Sequence, residues 1–125
     1  MAAVRILVDT DILIDYFNSG RYARLLLAPR TVVYYSVVTR KELLTKRGLR
    51  DAERRAIEET LRRFRIVPVT RAIAARYARV RAEARGIDRE DALIAATAME
   101  KRLPLMTRNW RHFRGLEGLT LFAGS

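Results

Sequence analysis

The stretch Ile6-Leu-Val-Asp-Thr-Asp-Ile-Leu-Ile-Asp15 decides how this chain is read. Arg5-Ile-Leu-Val-Asp9 is an apolar run with no polar alternation, ending in an acid. That pattern predicts a strand buried on both faces, as in a parallel sheet. The periodicity then changes, and Ile12 to Phe17 predicts a helix whose cap is Asp9, Thr10 or Asp11. An acid placed where a central strand gives way to a helix lies where open α/β sheets carry their sites.

Working outward, the same alternation recurs. Thr31-Val-Val-Tyr-Tyr-Ser36 is rich in β-branched and aromatic residues and predicts a second strand. Arg65-Ile-Val-Pro-Val69 predicts a third, with Pro68 marking its end or a sheet edge. Pro104-Leu-Met-Thr107 predicts a fourth, and Leu119-Thr-Leu-Phe122 a fifth. Between them, helices are predicted over 21–27, 37–46, 51–64, 72–85 and 88–102, with a short one at 110–113. Gly86 ends one of these, and Asp88 is the expected cap of the next. Strands alternating with helices in this way predict an α/β fold, a three-layer α/β/α sandwich around a central parallel sheet of four to five strands. No repeat or linker interrupts the 125 residues, so a single domain over 1–125 is expected.

Composition narrows the chemistry. The chain has no cysteine and one histidine, His112. Thiolate nucleophiles, disulfides and cysteine-based zinc sites are therefore excluded. The net charge is +11, from 25 Lys and Arg against 14 Asp and Glu, and lysine occurs only at 41, 46 and 101. Arginine's planar fork suits phosphate, so a polyanionic partner is expected, either nucleic acid or an acidic protein. The N-terminus has no cationic segment leading into an apolar core, and no apolar run approaches bilayer length. A soluble, cytoplasmic protein without a membrane partner is expected.

Against this basic background the acids at strand exits stand out. Asp9 ends the first strand and Asp11 follows at once; Glu42 lies six residues beyond Ser36. Asp91 sits in the first turn after Asp88, and Asn109 follows the fourth strand. Carboxylates gathered at one sheet edge repel each other, and a divalent cation relieves the repulsion. With no thiolate and no histidine pair, an all-oxygen donor set favours Mg²⁺ or Mn²⁺ over Zn²⁺. Thr107 and Arg108 are candidates for holding phosphate or water nearby. Asp15 and Glu90 are expected on the surface. Tyr34, Tyr35, Trp110 and Phe113 are expected in the core, and His112 is given a structural role. Asp9-Thr-Asp11 also resembles the Asp-x-Asp of haloacid-dehalogenase-type phosphatases. That reading leaves Glu42 unused and finds no convincing lysine before Asp91.

Four blocks, in order, resemble the PIN-domain family, and within it the VapC-type toxins of toxin–antitoxin pairs. They are Ile6 to Asp15, Ser36-Val-Val-Thr-Arg-Lys-Glu-Leu43, Asp91-Ala-Leu-Ile-Ala-Ala-Thr-Ala98 and Met106-Thr-Arg-Asn-Trp-Arg-His-Phe113. The resemblance implies a Mg²⁺- or Mn²⁺-dependent endoribonuclease in which Asp9, Glu42 and Asp91 occupy the three main acidic positions. Asn109 falls on a fourth position that is often Asp. Position 11, commonly Asn in the family, is Asp here, and His112 stands where its block often has Asp. The resemblance also implies an RNA substrate, a homodimer and a cognate antitoxin protein. A PIN domain that binds RNA or a partner without cutting is the alternative that Asn109 keeps open.

Overall fold

The computed structural model describes residues 2–123. Strand β1 (Val4–Val8) leads into α1 (Thr10–Ser19), then α2 (Ala23–Leu26), β2 (Thr31–Ser36), α3 (Val37–Leu44) and α4 (Asp51–Arg63). Strand β3 (Arg65–Val67), α5 (Arg71–Glu83), α6 (Arg89–Lys101), β4 (Leu105–Met106) and α7 (Trp110–Phe113) complete the chain. The four strands form one parallel sheet in the order β3-β2-β1-β4.

Side-chain alternation along the strands explains the three layers. Ile6 and Val8 of β1, Val33 and Tyr35 of β2 and Met106 of β4 face one way. There they pack with Ile12 and Leu13 of α1, Leu43 and Leu44 of α3, and Ile57 and Leu61 of α4. Leu7 and Leu105 face the other way, against Ile73 of α5, Ile94, Ala95 and Ala98 of α6, and Phe113 of α7. Ile6, Leu7 and Val8 have no exposed surface, as the unbroken apolar run predicts. The small residues on α6 let it lie close to the sheet and to α5.

Two expectations are corrected here. Leu119–Phe122 is not a fifth strand. It makes a single parallel bridge, Leu105 to Leu121, secured by Leu105 N–H to Thr120 O (2.8 Å) and Phe122 N–H to Leu105 O (2.8 Å). Strand β4 is only two residues long, so it offers no longer edge to extend. Trp110 is not in the core but 42 % exposed, whereas Tyr35 and Phe113 are buried as expected and Tyr34 is half-buried. The 3.6-residue helical period sends only one side of a four-residue helix inward, and Phe113 takes it.

The sheet order places the site. From β1 the chain winds outward through β2 to β3, then returns to set β4 on the other side of β1. The carboxyl ends of β1 and β4 thus flank the point where the winding reverses, which is where open α/β sheets hold ligands.

Candidate active site

Asp9 occupies that switch point and is 5 % exposed. The register Val8 to Met106 carries it alongside Thr107, and its N–H donates to Met106 O at 2.9 Å. Asp9 also caps α1, its Oδ1 accepting the Thr10 N–H at 2.8 Å. Its Oδ2 accepts the Thr107 hydroxyl at 2.7 Å. Burial, with the charge of Asp11 beside it and Asp91 beyond, raises its pKa from 3.8 to about 6 despite these donors.

Asp11 lies one position into α1 with its carboxylate turned to the same edge. Its Oδ2 accepts the Arg108 backbone N–H at 3.1 Å, while its Oδ1 is buried without a hydrogen-bond partner among the described residues. Burial raises its pKa, against the opposing pull of Arg108. Asp91, in the first turn of α6, is likewise raised by burial and then by Asp88, with a smaller push from Asp11. Elements far apart in sequence therefore bring Asp9, Asp11 and Asp91 within electrostatic reach of one another.

Glu42 reaches the site by another route. Ser36 caps α3 by accepting the Val38 and Thr39 N–H groups, which fixes the helix that carries Glu42. Oε1 of Glu42 accepts the buried Thr10 hydroxyl at 2.7 Å, and Thr10 Oγ1 also lies 3.0 Å from Thr39 Oγ1. A buried threonine pair thus ties Glu42 to the residue next to Asp9. Asn109 is exposed just past β4; its backbone N–H donates to Thr107 Oγ1 at 3.0 Å, and its carboxamide caps no helix N–H.

The surroundings differ from sequence expectations at four residues. Arg108 is held among acids, with Nη1 3.1 Å from Asp15 Oδ2 and Nε 3.9 Å from Asp11 Oδ2. Asp15 is therefore an anchor for Arg108 and not a plain surface residue; its place four residues after Asp11, on one face of α1, was the available signal. Asp88 stands at the N-cap of α6, but its side chain caps no N–H. His112, expected to be structural, lies at the rim with Nδ1 3.3 Å from Asp91 Oδ2. Glu90 is exposed, as expected.

Among the described residues, no three acid or imidazole side chains are drawn closely enough together to enclose an ion by themselves. The donor set nevertheless fits Mg²⁺ or Mn²⁺. Its atoms are carboxylate and amide oxygens, Asp11 Oδ1 lacks a partner, and the raised acids gain most from a nearby cation. Mg²⁺ keeps much of its water and is commonly held through only one or two carboxylates.

Beside Asp91 a cleft of about 470 Å³ opens, lined also by Arg85, Asp88, His112 and Arg114. Asp9, Asp11 and Glu42 do not line it, so the cleft meets the acidic edge through Asp91.

The PIN domain model matches residues 6–118, nearly the whole described chain. The chain belongs to the PIN-domain family. It is 40 % identical over 121 residues to ribonuclease VapC10 of Mycobacterium tuberculosis, covering 91 % of this chain and 90 % of that protein. Ribonuclease VapC1 of Methanocaldococcus jannaschii is 32 % identical over 125 residues, covering 94 % and 87 %. Among solved structures, a toxin–antitoxin complex from Klebsiella pneumoniae superposes with a TM-score of 0.74 at 33 % identity, over 92 % of this chain and 95 % of that one. VapBC2 from Rickettsia felis, bound to a DNA fragment from its promoter, gives a TM-score of 0.83 at 23 % identity, over 95 % and 98 %. The latter likeness speaks to the fold, and the PIN domain's parallel sheet between helical layers is what the two share.

Proposed function

We propose that this PIN domain is a metal-dependent endoribonuclease, the toxin of a toxin–antitoxin pair, acting in the cytoplasm as one nuclease domain. The observation that carries the reading is that Asp9, Asp11 and Asp91 lie within electrostatic reach of one another beside the switch point, in a chain with net charge +11. A polyanion is drawn in by the arginines, while the acids supply what a cation needs. The ribonuclease names of its relatives, at 32–40 % identity, support RNA as the substrate. The Klebsiella complex supports an antitoxin partner, and a homodimer belongs to the same reading.

In this proposal Asp9, Asp91, Glu42, Asn109 and Asp11 hold the metal, directly or through water. Held by these residues, Mg²⁺ or Mn²⁺ would supply a more acidic water and would offset charge building on the phosphodiester. Thr107 keeps the Asp9 carboxylate aimed through its 2.7 Å hydrogen bond. Arg108 orders Asp11 through its backbone N–H and leans on Asp15, which holds the β4–α7 connection against α1. Thr10 fixes Glu42, the one acid of the set that is exposed.

The direct test incubates the purified protein with single-stranded RNA and Mn²⁺ or Mg²⁺, with chelator as control. Internal cuts that vanish with chelator are expected, together with a metal-dependent rise in melting temperature. RNA that is bound but left intact with both ions would overturn the proposal in favour of a non-cleaving PIN domain.

Thr10 is a positioning residue that sequence reading missed, because its role depends on α1 and α3 lying side by side. Thr10→Val keeps the volume but removes the donor to Glu42. Partners of metal ligands typically change metal affinity or activity by roughly 10–100-fold when removed. Cleavage is expected to fall in that range, with weaker Mn²⁺ binding by calorimetry and recovery in Thr10→Ser. Unchanged Mn²⁺ affinity in the valine variant would remove Thr10 from this role.

A further inference from the structure

Trp110 is the chain's single tryptophan, and it stands exposed one position after Asn109. Its helix, α7, is anchored by Phe113, so the indole faces water from a fixed base. The guanidinium carbons of Arg111 and Arg114 lie 4.9 and 5.7 Å from its ring centroid. Arg114 also lines the cleft of about 470 Å³ with Arg85, His112 and Asp91. One guanidinium therefore joins an exposed aromatic face to a cleft that an acid of the proposed metal site also lines.

We propose that Trp110 and Arg114 form a stacking seat for one unpaired nucleobase, holding single-stranded RNA on the α7 side of the phosphodiester to be cut. This rests on the endoribonuclease reading above. A base can lie on the indole, because every base has a π-face, while Arg114 and Arg85 are placed for the adjoining backbone phosphate. The arginine contacts on the indole are exposed and weak, so a base displaces or sandwiches against them readily. Bases inside a duplex are already stacked and cannot reach the ring. The seat thus selects unpaired RNA and is tolerant of sequence. The cationic neighbours favour a nucleic acid strand over an apolar protein face, and the continuity with Asp91 ties that strand to the cutting site.

Because no other tryptophan exists, emission excited where indole absorbs and the five tyrosines do not reports on this seat alone. The Asp9→Asn chain, titrated with a short single-stranded oligouridylate in Mg²⁺, is expected to show saturable quenching. A duplex of equal length and inorganic polyphosphate of equal charge are expected to leave the emission unchanged. In the otherwise native chain, Trp110→Ala is expected to raise KM for single-stranded RNA by roughly five- to a hundredfold with kcat little changed. Trp110→Phe is expected to recover part of the loss, and urea midpoints near that of the native protein check that both variants fold. Equal quenching by polyphosphate, or a native KM in Trp110→Ala, overturns the seat. So does an acidic peptide that quenches where RNA does not, which assigns the face to a protein partner. If RNA is cut without any change in emission, the seat alone fails. If the native protein neither binds nor cuts RNA, the endoribonuclease reading falls and takes the seat with it.

Discussion

Asp9→Asn is expected to abolish metal-dependent RNA cleavage and, in the same molecule, to make the metal-free protein harder to unfold at neutral pH. The first effect follows from position. Asp9 is the most buried of the acids at the switch point and the one both Asp11 and Asp91 press upon. An amide keeps an oxygen but gives up the charge that holds a cation, and several kcal/mol of transition-state stabilisation correspond to roughly a 10³-fold loss in rate. The second effect follows from the same burial. Asp9 ionises near 3.8 in the unfolded chain and at about 6 in the folded one. Between those values the folded state binds more protons, so stability falls as pH rises through the window, and above it the whole penalty applies. That penalty is on the order of 3 kcal/mol. Asparagine cannot ionise, still accepts the Thr10 N–H, and can donate to the Thr107 oxygen in place of accepting from it. Urea unfolding in chelator is expected to show the variant more stable by roughly 1–2 kcal/mol at pH 7.5, with the advantage gone or reversed near pH 4. A variant that is less stable at both pH values, or that still cuts RNA with Mn²⁺, contradicts this account of the site. The trade of stability for a buried, charged site is what function commonly requires.

How much of this was legible beforehand depends on how local each cause is. The apolar run ending at Asp9 and the β-branched run to Ser36 announced β1 and β2, because burial on both faces demands such residues. The acids at strand exits were legible for the same reason, since strand ends are where a parallel sheet opens to ligands. Thr10, Asp15 and the true surroundings of Arg108 were not. The tie of Thr10 to Glu42 exists only once α3 lies beside α1, and the Arg108 to Asp15 pair spans 93 positions and forms only when β4 returns to lie beside β1. Trp110 misled for a different reason. Large aromatics are usually buried, but four residues of helix have one inward side, and composition does not say which aromatic takes it. The supposed fifth strand had the right residues but only the two-residue β4 to pair with, and it makes a single bridge there. The difference at His112 belongs with these, because a histidine at the rim and one in the core read alike until the acid facing it is known.

Phe113→Ala is expected to be the most destabilising single change near the site, and its consequences reach further than the lost packing. The ring is 1 % exposed and belongs to the buried cluster that holds Leu7, Ile94, Ala95 and Leu105 of β1, α6 and β4. Truncating a buried phenylalanine costs about 3–5 kcal/mol, against a total stability of about 5–15 kcal/mol for a domain of this kind. Four residues of helix cannot hold together unaided, so α7 depends on this one anchor. Its release frees Trp110 and draws His112 away from Asp91, so RNA affinity should fall under conditions where most of the protein is still folded. Phe113→Leu fills most of the space and should lose far less, about 1 kcal/mol. Denaturant unfolding, compared with RNA cleavage well below the midpoint, separates the two effects. The expected result is a large drop in midpoint for alanine, a small one for leucine, and a cleavage defect in alanine that exceeds its unfolded fraction. Should the alanine variant lose less than about 1 kcal/mol and cut RNA normally, α7 is held by something other than Phe113. One buried ring would then not couple the sheet's edge packing to the site's RNA-facing rim.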